Sequence, residues 1–318
     1  MPQFAQPCRR QVLQQMTAAL AAGTIIQAPN TTQAAEPEPV ADWRYCLNTS
    51  TIRGQKLSLP QEIDLIGQAG YQGIEPWMRE IHQHVENGGK TRELRKQLND
   101  NGLSVDSAIG FANWIVDDEV KRTRGFEDMK RDMQLVAELG GTRIAAPPVG
   151  ATDQPDLNLA KVAERYYDLL ELGQQTGVTP QLELWGFSKS LSRLGELMYV
   201  SVECGHPNAC LLPDVYHIYK GGSPFNGLRL VSGTPIHVMH MNDYPNIVRE
   251  KISDADRVYP GDGVAPIGQI LRNLRDNGFQ GVLSLELFNR DYWKQDPHQV
   301  VRTGLEKMKK VVNESLSA

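Results

Sequence analysis

The sequence has little cysteine, and none of it is arranged to hold a metal ion. Four cysteines occur in 318 residues, with no Cys-x-x-Cys pair and no zinc-finger spacing. This absence argues against a structural zinc site built from thiolates. Cys204 and Cys210 could form a disulfide in an oxidising compartment, and the alternative is two small buried or loop thiols.

The chain also lacks an excess of positive charge and a long apolar run. Its formal net charge is -5 and its isoelectric point is near 5.8, so attraction to a nucleic-acid backbone is not expected. No segment is long and apolar enough for a membrane helix. A small molecule is therefore the expected partner.

The first 39 residues have the layout of an export signal. Arg9 and Arg10 precede an apolar segment from Met16 to Ala28, and a run rich in Thr, Ala, Glu and Pro follows to Pro39. A positive segment followed by a short apolar one is typical of a cleavable signal peptide, and the Arg pair resembles a twin-arginine motif. We predict a leader and linker over residues 1–39, a folded domain over 40–318, and a periplasmic or extracellular location. The alternative is a disordered tail on a cytoplasmic protein.

The remaining sequence repeats one unit, a β-rich apolar run followed by polar residues and an amphipathic helix that ends at glycine. The predicted strands are Tyr45–Asn48, Gly73–Glu75, Ser104–Ile109, Arg143–Ala146, Thr179–Leu184, Ala209–Leu212, Ile236–His240 and Val282–Leu287. The predicted helices are 60–69, 91–101, 126–139, 159–175, 191–200 and 266–277. Eight such strands indicate an α/β fold, a single (β/α)8 barrel. A doubly wound open sheet is the alternative, but no Gly-x-Gly-x-x-Gly or P-loop follows a strand.

Polar side chains collect where four consecutive predicted strands end. Glu183, Asp214, His240 and Glu286 close the fifth to eighth strands. Burying one carboxylate in an apolar strand is costly without a partner, so several on one rim need a shared cation. Three carboxylates and one imidazole favour Mn²⁺, Mg²⁺ or Co²⁺, with Zn²⁺ as a further candidate. We therefore predict one divalent metal ion at the C-terminal ends of the strands.

These residues belong to a series of motifs that resembles the xylose-isomerase-like barrels, a superfamily of sugar isomerases, epimerases, dehydratases and apurinic endonucleases. The resemblance covers nearly the whole chain after Ala41. It rests on six motifs in order: Gly70-Tyr71-Gln72-Gly73-Ile74-Glu75, Leu182-Glu183, Asp214-x-x-His217, His240-x-x-Asp243, Arg257-x-x-Pro260-Gly261-Asp262-Gly263 and Gly281-x-x-Ser284-Leu285-Glu286.

The resemblance implies a role for each residue of the site. It implies that the four strand-end residues ligate the metal and that Glu183 and Glu286 also act as general acid and base on either side of a sugar. It implies that His217 orients a substrate hydroxyl and that Arg257 binds substrate or anchors a loop, although Arg249 is near enough to compete. Two further residues at strand ends complete the predicted substrate-binding set, Glu75 and Trp185.

The expected activity is metal-dependent isomerisation or epimerisation of a sugar through an enediolate. A lyase or dehydratase is the alternative within this chemistry, and a non-catalytic sugar-binding protein is the alternative outside it. The apurinic endonucleases of this superfamily need extra histidines for a three-zinc cluster. The corresponding positions here hold Ala108-Ile109-Gly110, Ala145-Ala146-Pro147 and Val258, so DNA repair is not expected.

Overall fold

The structure is a computed structural model, and it describes residues 43–317. The predicted leader, residues 1–39, lies outside the described residues. The strands are β1 Arg44–Asn48, β2 Gly73–Glu75, β3 Ser104–Val105, β4 Arg143–Ala146, β5 Thr179–Glu183, β6 Leu211–Leu212, β7 Val238–Met241 and β8 Val282–Leu285. The helices are α1 Leu59–Ala69, α2 Met78–Glu86, α3 Thr91–Asp100, α4 Glu119–Glu138, α5 Leu159–Thr176, α6 Leu194–Glu203, α7 Val215–Gly221, α8 Ile267–Asp276 and α9 Pro297–Leu316.

The eight strands close into a parallel barrel, as the sequence predicts. Regular ladders join β3-β2-β1-β8-β7 and β4-β5-β6. Two seams complete the circle. The Ala108 N–H donates to the Arg143 carbonyl (3.2 Å) next to β3, and the Leu211 N–H donates to the Pro235 carbonyl (2.9 Å) between β6 and β7. Because every pair is parallel, all C-terminal strand ends lie on one rim.

Helix ends follow the capping signals in the sequence. Ser58 and Gln61 form a capping box at the start of α1, and Gly70 ends that helix in the left-handed conformation with φ 89°. Gly177 ends α5 in the same way with φ 75°. Asp118 caps α4 through the Lys121 N–H, so this helix begins seven residues before the predicted start at Phe126. The predicted ends of α1 and α5 at a glycine are confirmed.

Several boundaries differ from the predictions. β3 is shorter than predicted. After Val105 the chain forms only isolated backbone contacts with the strands on either side, such as the bridge between Ile109 and Trp77. β8 ends at Leu285 rather than Leu287, and α6 begins at Leu194 rather than Leu191, whose φ of 52° is left-handed. Three helices are absent from the predicted set: α2, α7 and α9.

The core lies between the barrel and its outer helices, with a smaller apolar layer inside the barrel. That inner layer contains Cys46, Ile109, Ala145, Leu212, Val238 and Val282. Cys204 and Cys210 are both buried and free. The structure therefore has two separate thiols here and not the disulfide that the sequence left open. Within residues 43–317 no helix is both long enough and apolar enough to cross a membrane.

Candidate metal centre

The four predicted metal ligands lie together at the C-terminal rim of the barrel. Glu183 is the last residue of β5, Asp214 follows β6 and caps α7, His240 lies in β7, and Glu286 follows β8. Each is almost fully buried, with at most 3% of its surface exposed. The β6–β7 bridge pairs Asp214 with His240, and the Glu286 N–H donates to the Met241 carbonyl (3.1 Å). Strand register therefore brings these side chains to one place.

Three of the four offer ligand atoms at metal-binding distances from one another. One atom each from Asp214, His240 and Glu286 lies within 4.8 Å of the others. His240 Nδ1 is 3.4 Å from Glu286 Oε2 and 3.8 Å from Asp214 Oδ2. Glu183 stands outside this triad but lines the same cavity as Glu286.

Two polar atoms of this set are buried without a hydrogen-bond partner, and they support the fit to a cation. They are His240 Nδ1 and Glu183 Oε2. A buried acceptor with no donor is costly in a folded protein, and an ion bound by oxygen and imidazole ligands removes that cost. The donor set and its unsatisfied atoms therefore fit a divalent metal.

Glu75 lies behind His240, away from the cavity. Its carboxylate is fully buried, and Oε2 is 3.0 Å from His240 Nε2, while Ser284 Oγ donates to the same oxygen at 2.7 Å. Asn48 Nδ2 donates to Glu75 Oε2 (3.0 Å) and to Glu286 Oε1 (3.2 Å). Because a carboxylate only accepts, the His240 ring carries hydrogen on Nε2, which leaves Nδ1 to face the other carboxylates.

Arg257 is a buried counter-charge for the same carboxylates. Its Nη1 donates to Asp214 Oδ2 (3.0 Å) and to Glu286 Oε2 (2.8 Å), and its Nη2 donates to Asp254 Oδ1 (2.5 Å). Nη2 also lies 3.1 Å from His217 Nε2. Of the two arginines considered from sequence, Arg257 is in the site, whereas Arg249 pairs with Glu250.

The two predicted acid–base carboxylates have opposite electrostatic surroundings. Burial raises the pKa of Glu183 to about 8, although the neighbouring His240 acts in the other direction. Burial would also raise the pKa of Glu286, but His240 and Arg257 together hold it well below its ordinary value. Opposite shifts of two neighbouring carboxyls are the usual sign of an acid–base pair.

Above these residues is a cavity of about 210 Å³ with aromatic walls. Its polar side is formed by Glu183, Glu286, His217, Arg257 and Asp254, and its walls by Trp77, Phe111, Trp185, Phe187 and Phe288, with Ile109. The rings contact one another, with centroids 4.8 Å apart for Trp77 and Phe111 and 5.3 Å apart for Trp185 and Phe187. The predicted substrate residues His217, Arg257 and Trp185 line this cavity, and Glu75 does not.

Sequence reasoning did not identify Asn242 and Ser284 as supports of the site. Asn242 donates to Asp214 Oδ2 (2.9 Å) and accepts from the Tyr216 N–H (2.8 Å), which ties β7 to the start of α7. Each lies two positions from a predicted ligand, Asn242 after His240 and Ser284 before Glu286. That proximity was the available signal, but only the strand register shows that their side chains turn inward.

The fold and this rim define a (β/α)8 barrel with a candidate metal centre at the C-terminal ends of its strands. The sequence model of the xylose isomerase-like TIM barrel family matches residues 63–311. The chain belongs to the xylose isomerase-like TIM barrel family.

Three distant relatives cover between 78% and 85% of this chain. The inosose isomerase of Bacillus velezensis is 25% identical over 277 residues, covering 85% of this chain and 97% of that protein. The fructoselysine 3-epimerase of Escherichia coli O157:H7 is 22% identical, covering 83% and 97%. The 3-dehydroshikimate dehydratase of Pseudomonas putida is 22% identical, covering 78% of this chain but 39% of that enzyme.

Solved structures agree on the fold. The structure of the IOLI protein with a bound zinc atom superposes with a TM-score of 0.79 at 21% identity, covering 85% of this chain and 98% of that one. The structure of L-ribulose 3-epimerase superposes with a TM-score of 0.70 at 17% identity, covering 86% and 95%. At these identities the agreement shows the barrel fold alone.

Proposed function

We propose that this protein is a divalent-metal-dependent isomerase or epimerase of a sugar or related polyol ketone. The observation that carries the proposal is the pair Glu183 and Glu286, two buried carboxyls that line one aromatic-walled cavity, where Glu286 also belongs to the triad with Asp214 and His240. A protein that only binds a sugar has no need for two such groups. The isomerases and epimerases among the relatives support the same reaction class.

Glu183, Asp214, His240 and Glu286 would hold the metal. When bound, it supplies a Lewis acid that polarises a substrate carbonyl and makes the neighbouring C–H more acidic. The oxygen-rich ligand set favours Mn²⁺, Mg²⁺ or Co²⁺, and the zinc in the IOLI structure supports Zn²⁺ as the further candidate.

The chain's own residues then move the proton. One of the two glutamates, as carboxylate, removes the proton from the carbon next to the carbonyl and leaves an enediolate, and the other, as carboxylic acid, donates its own proton to that enediolate. Return to the neighbouring carbon gives isomerisation, and return to the opposite face gives epimerisation. His217 and Arg257 border the same space and position substrate hydroxyls, while the aromatic walls exclude water from the reacting carbon.

A dehydratase is the second candidate, and a specific observation favours it. Among the relatives is a 3-dehydroshikimate dehydratase, and the same carboxylate pair could remove a proton and protonate a leaving β-hydroxyl. The two activities differ in the mass of the product.

The test is to incubate protein loaded with Mn²⁺, Co²⁺ or Zn²⁺ with inososes, unphosphorylated ketoses and 3-dehydroshikimate, and to analyse products by NMR and mass spectrometry. We expect a product of unchanged mass. Loss of one water would assign the dehydratase activity instead. No conversion with any of these compounds would leave the binding protein as the better account.

Glu75 provides a prediction about metal affinity rather than turnover. In Glu75→Ala the His240 ring loses the carboxylate that fixes its tautomer, so metal affinity should fall about 10- to 100-fold. Metal affinity should fall less in Glu75→Gln, because the amide oxygen of glutamine still accepts a hydrogen bond from His240 Nε2. Calorimetric titration of the metal-free protein with Mn²⁺ measures both.

Ser284→Ala is the matched control for Glu75. It removes the hydroxyl that donates to Glu75 Oε2 but keeps the contact between Glu75 and His240, so affinity should change only slightly. An unaltered Mn²⁺ affinity in Glu75→Ala, with the fold intact by circular dichroism, would show that Glu75 does not position the ligand.

A further inference from the structure

The aromatic walls of the cavity extend to its mouth, where two phenylalanine rings reach solvent. Phe111 is 37% exposed and Phe187 is 48% exposed, although both line the cavity. Trp185 is half-buried and contacts both of them, with its ring centroid 6.1 Å from that of Phe111 and 5.3 Å from that of Phe187. These three rings form one continuous apolar surface, which we call the aromatic rim.

The aromatic rim begins where the proposed sugar site ends. The Phe187 ring centroid is 5.9 Å from that of His217, the buried residue proposed to position a substrate hydroxyl. At the other end of the rim, the Phe111 ring centroid is 4.8 Å from that of Trp77, which also lines the cavity. A sugar held beside His217 therefore has apolar rings next to it on the way out to solvent.

The polar lining of the cavity has the opposite distribution. Glu183, Glu286, His217 and Arg257 are each at most 3% exposed. Asp254 reaches solvent with 38% of its side chain, but its Oδ1 accepts a hydrogen bond from Arg257 Nη2 at 2.5 Å. A ligand that fills the cavity thus meets hydrogen-bonding groups at its inner end and aromatic rings at its outer end.

We propose that the aromatic rim is a subsite for an aromatic ring carried by the substrate. The inference rests on the proposed function, because it places the sugar part of the same molecule beside Glu183 and Glu286. Adjoining apolar side chains that stay exposed are typical of a binding surface, and a flat apolar group that covers them is held by the hydrophobic effect and by ring-to-ring contacts. A second sugar fits less well, because phenylalanine rings cannot pair with its hydroxyls. The substrate class is thus a sugar or polyol ketone with an aromatic substituent, such as a keto derivative of an aryl glycoside.

The test compares phenyl with methyl glycosides, which have the same sugar and differ only in the group that would reach the aromatic rim. The Mn²⁺-loaded protein is titrated calorimetrically with both β-D-glucosides and both β-D-galactosides. For at least one of the two sugars the phenyl compound should bind roughly 10- to 100-fold more tightly, the range expected for taking one aromatic ring out of water. Its binding should also have the more negative heat-capacity change, because more apolar surface is buried.

Removing a ring from the aromatic rim should remove the preference. Phe111→Ala and Phe187→Ala should each lower the ratio of phenyl to methyl affinity by about three- to tenfold, whereas Phe187→Tyr should keep the ratio because the ring remains. Tyr199→Ala is the matched control. Tyr199 is 42% exposed on α6 and does not line the cavity, so its removal should leave the ratio unchanged. The replaced side chains are all exposed, so each variant should fold, which circular dichroism checks.

Three results would overturn the proposal. They are equal or undetectable binding of the phenyl and methyl glycosides by the wild type, a preference that survives in both Phe111→Ala and Phe187→Ala, and tighter binding of cellobiose than of phenyl β-D-glucoside. The last result would assign the aromatic rim to a second sugar.

Binding is measured here without turnover, so the two proposals can fail separately. A preference for the phenyl compound that depends on Phe111 and Phe187, with no proton exchange on any ketone, would remove the isomerase assignment and leave the subsite. Exchange on an inosose, with no preference for phenyl glycosides, would do the reverse.

Discussion

Replacing Glu183 or Glu286 by glutamine should lower the rate of substrate proton exchange by about 10²–10⁴-fold. Glutamine keeps the shape of the side chain and one oxygen that can ligate a metal, but it cannot take up or return a proton. The measurement is the exchange of the hydrogen next to the carbonyl with D₂O, followed by NMR on the substrate that the product screen identifies. Metal content should be determined for each variant, because affinity for the ion should be reduced but not lost.

Glu164→Gln is a suitable control for these substitutions. Glu164 is an exposed glutamate on the outer side of α5, and its replacement should leave exchange unchanged. If Glu183→Gln and Glu286→Gln both exchange at the wild-type rate with metal bound, the two glutamates are ligands only and the acid–base assignment fails.

Removing the metal should lower the melting temperature, and Mn²⁺ or Co²⁺ should restore it. Without a cation the carboxylates of Asp214 and Glu286 lie close together with only Arg257 and His240 to offset their charge. Metal present at 100 times its dissociation constant should stabilise the fold by about 2.7 kcal/mol by mass action. Differential scanning calorimetry before and after chelation measures the shift.

The metal effect should also depend on pH and on His240. The carboxylates of Glu75 and Glu286 outweigh burial and raise the pKa of His240 well above its ordinary value, so a proton competes with the ion for Nδ1 and the stabilisation should weaken as the pH falls. His240→Gln should largely abolish the shift. A melting curve that does not respond to verified metal removal in the wild type would contradict a shared site.

The barrel and the rim could be predicted from the sequence because both depend on chain order alone. Once parallel strands alternate with helices, the last residues of all strands share one edge, which places Glu183, Asp214, His240 and Glu286 together without any knowledge of side-chain direction. Short elements were harder to predict. α7 has seven residues, too few to show a helical period, and its start is marked by Asp214, which accepts from the His217 N–H (2.7 Å) while also being a predicted ligand.

Side-chain direction explains what the sequence did not reveal. Glu75 is the last residue of β2, and Glu183 is the last residue of β5. The sequence alone therefore cannot tell which of the two glutamates faces the cavity. In the fold Glu75 contacts Ser284 and His240, whereas Glu183 lines the cavity.

The most direct test of the account is deuterium uptake by substrate in D₂O with and without metal. The wild-type protein, stripped by chelator and then reloaded with Mn²⁺, should be incubated with inososes, ketoses and 3-dehydroshikimate, and deuterium next to the carbonyl should be measured by NMR and mass spectrometry. We expect deuterium incorporation that requires the metal and is lost in Glu183→Gln and Glu286→Gln. Absence of deuterium from every compound, with metal binding verified, would contradict it and show that the site binds without catalysing proton transfer.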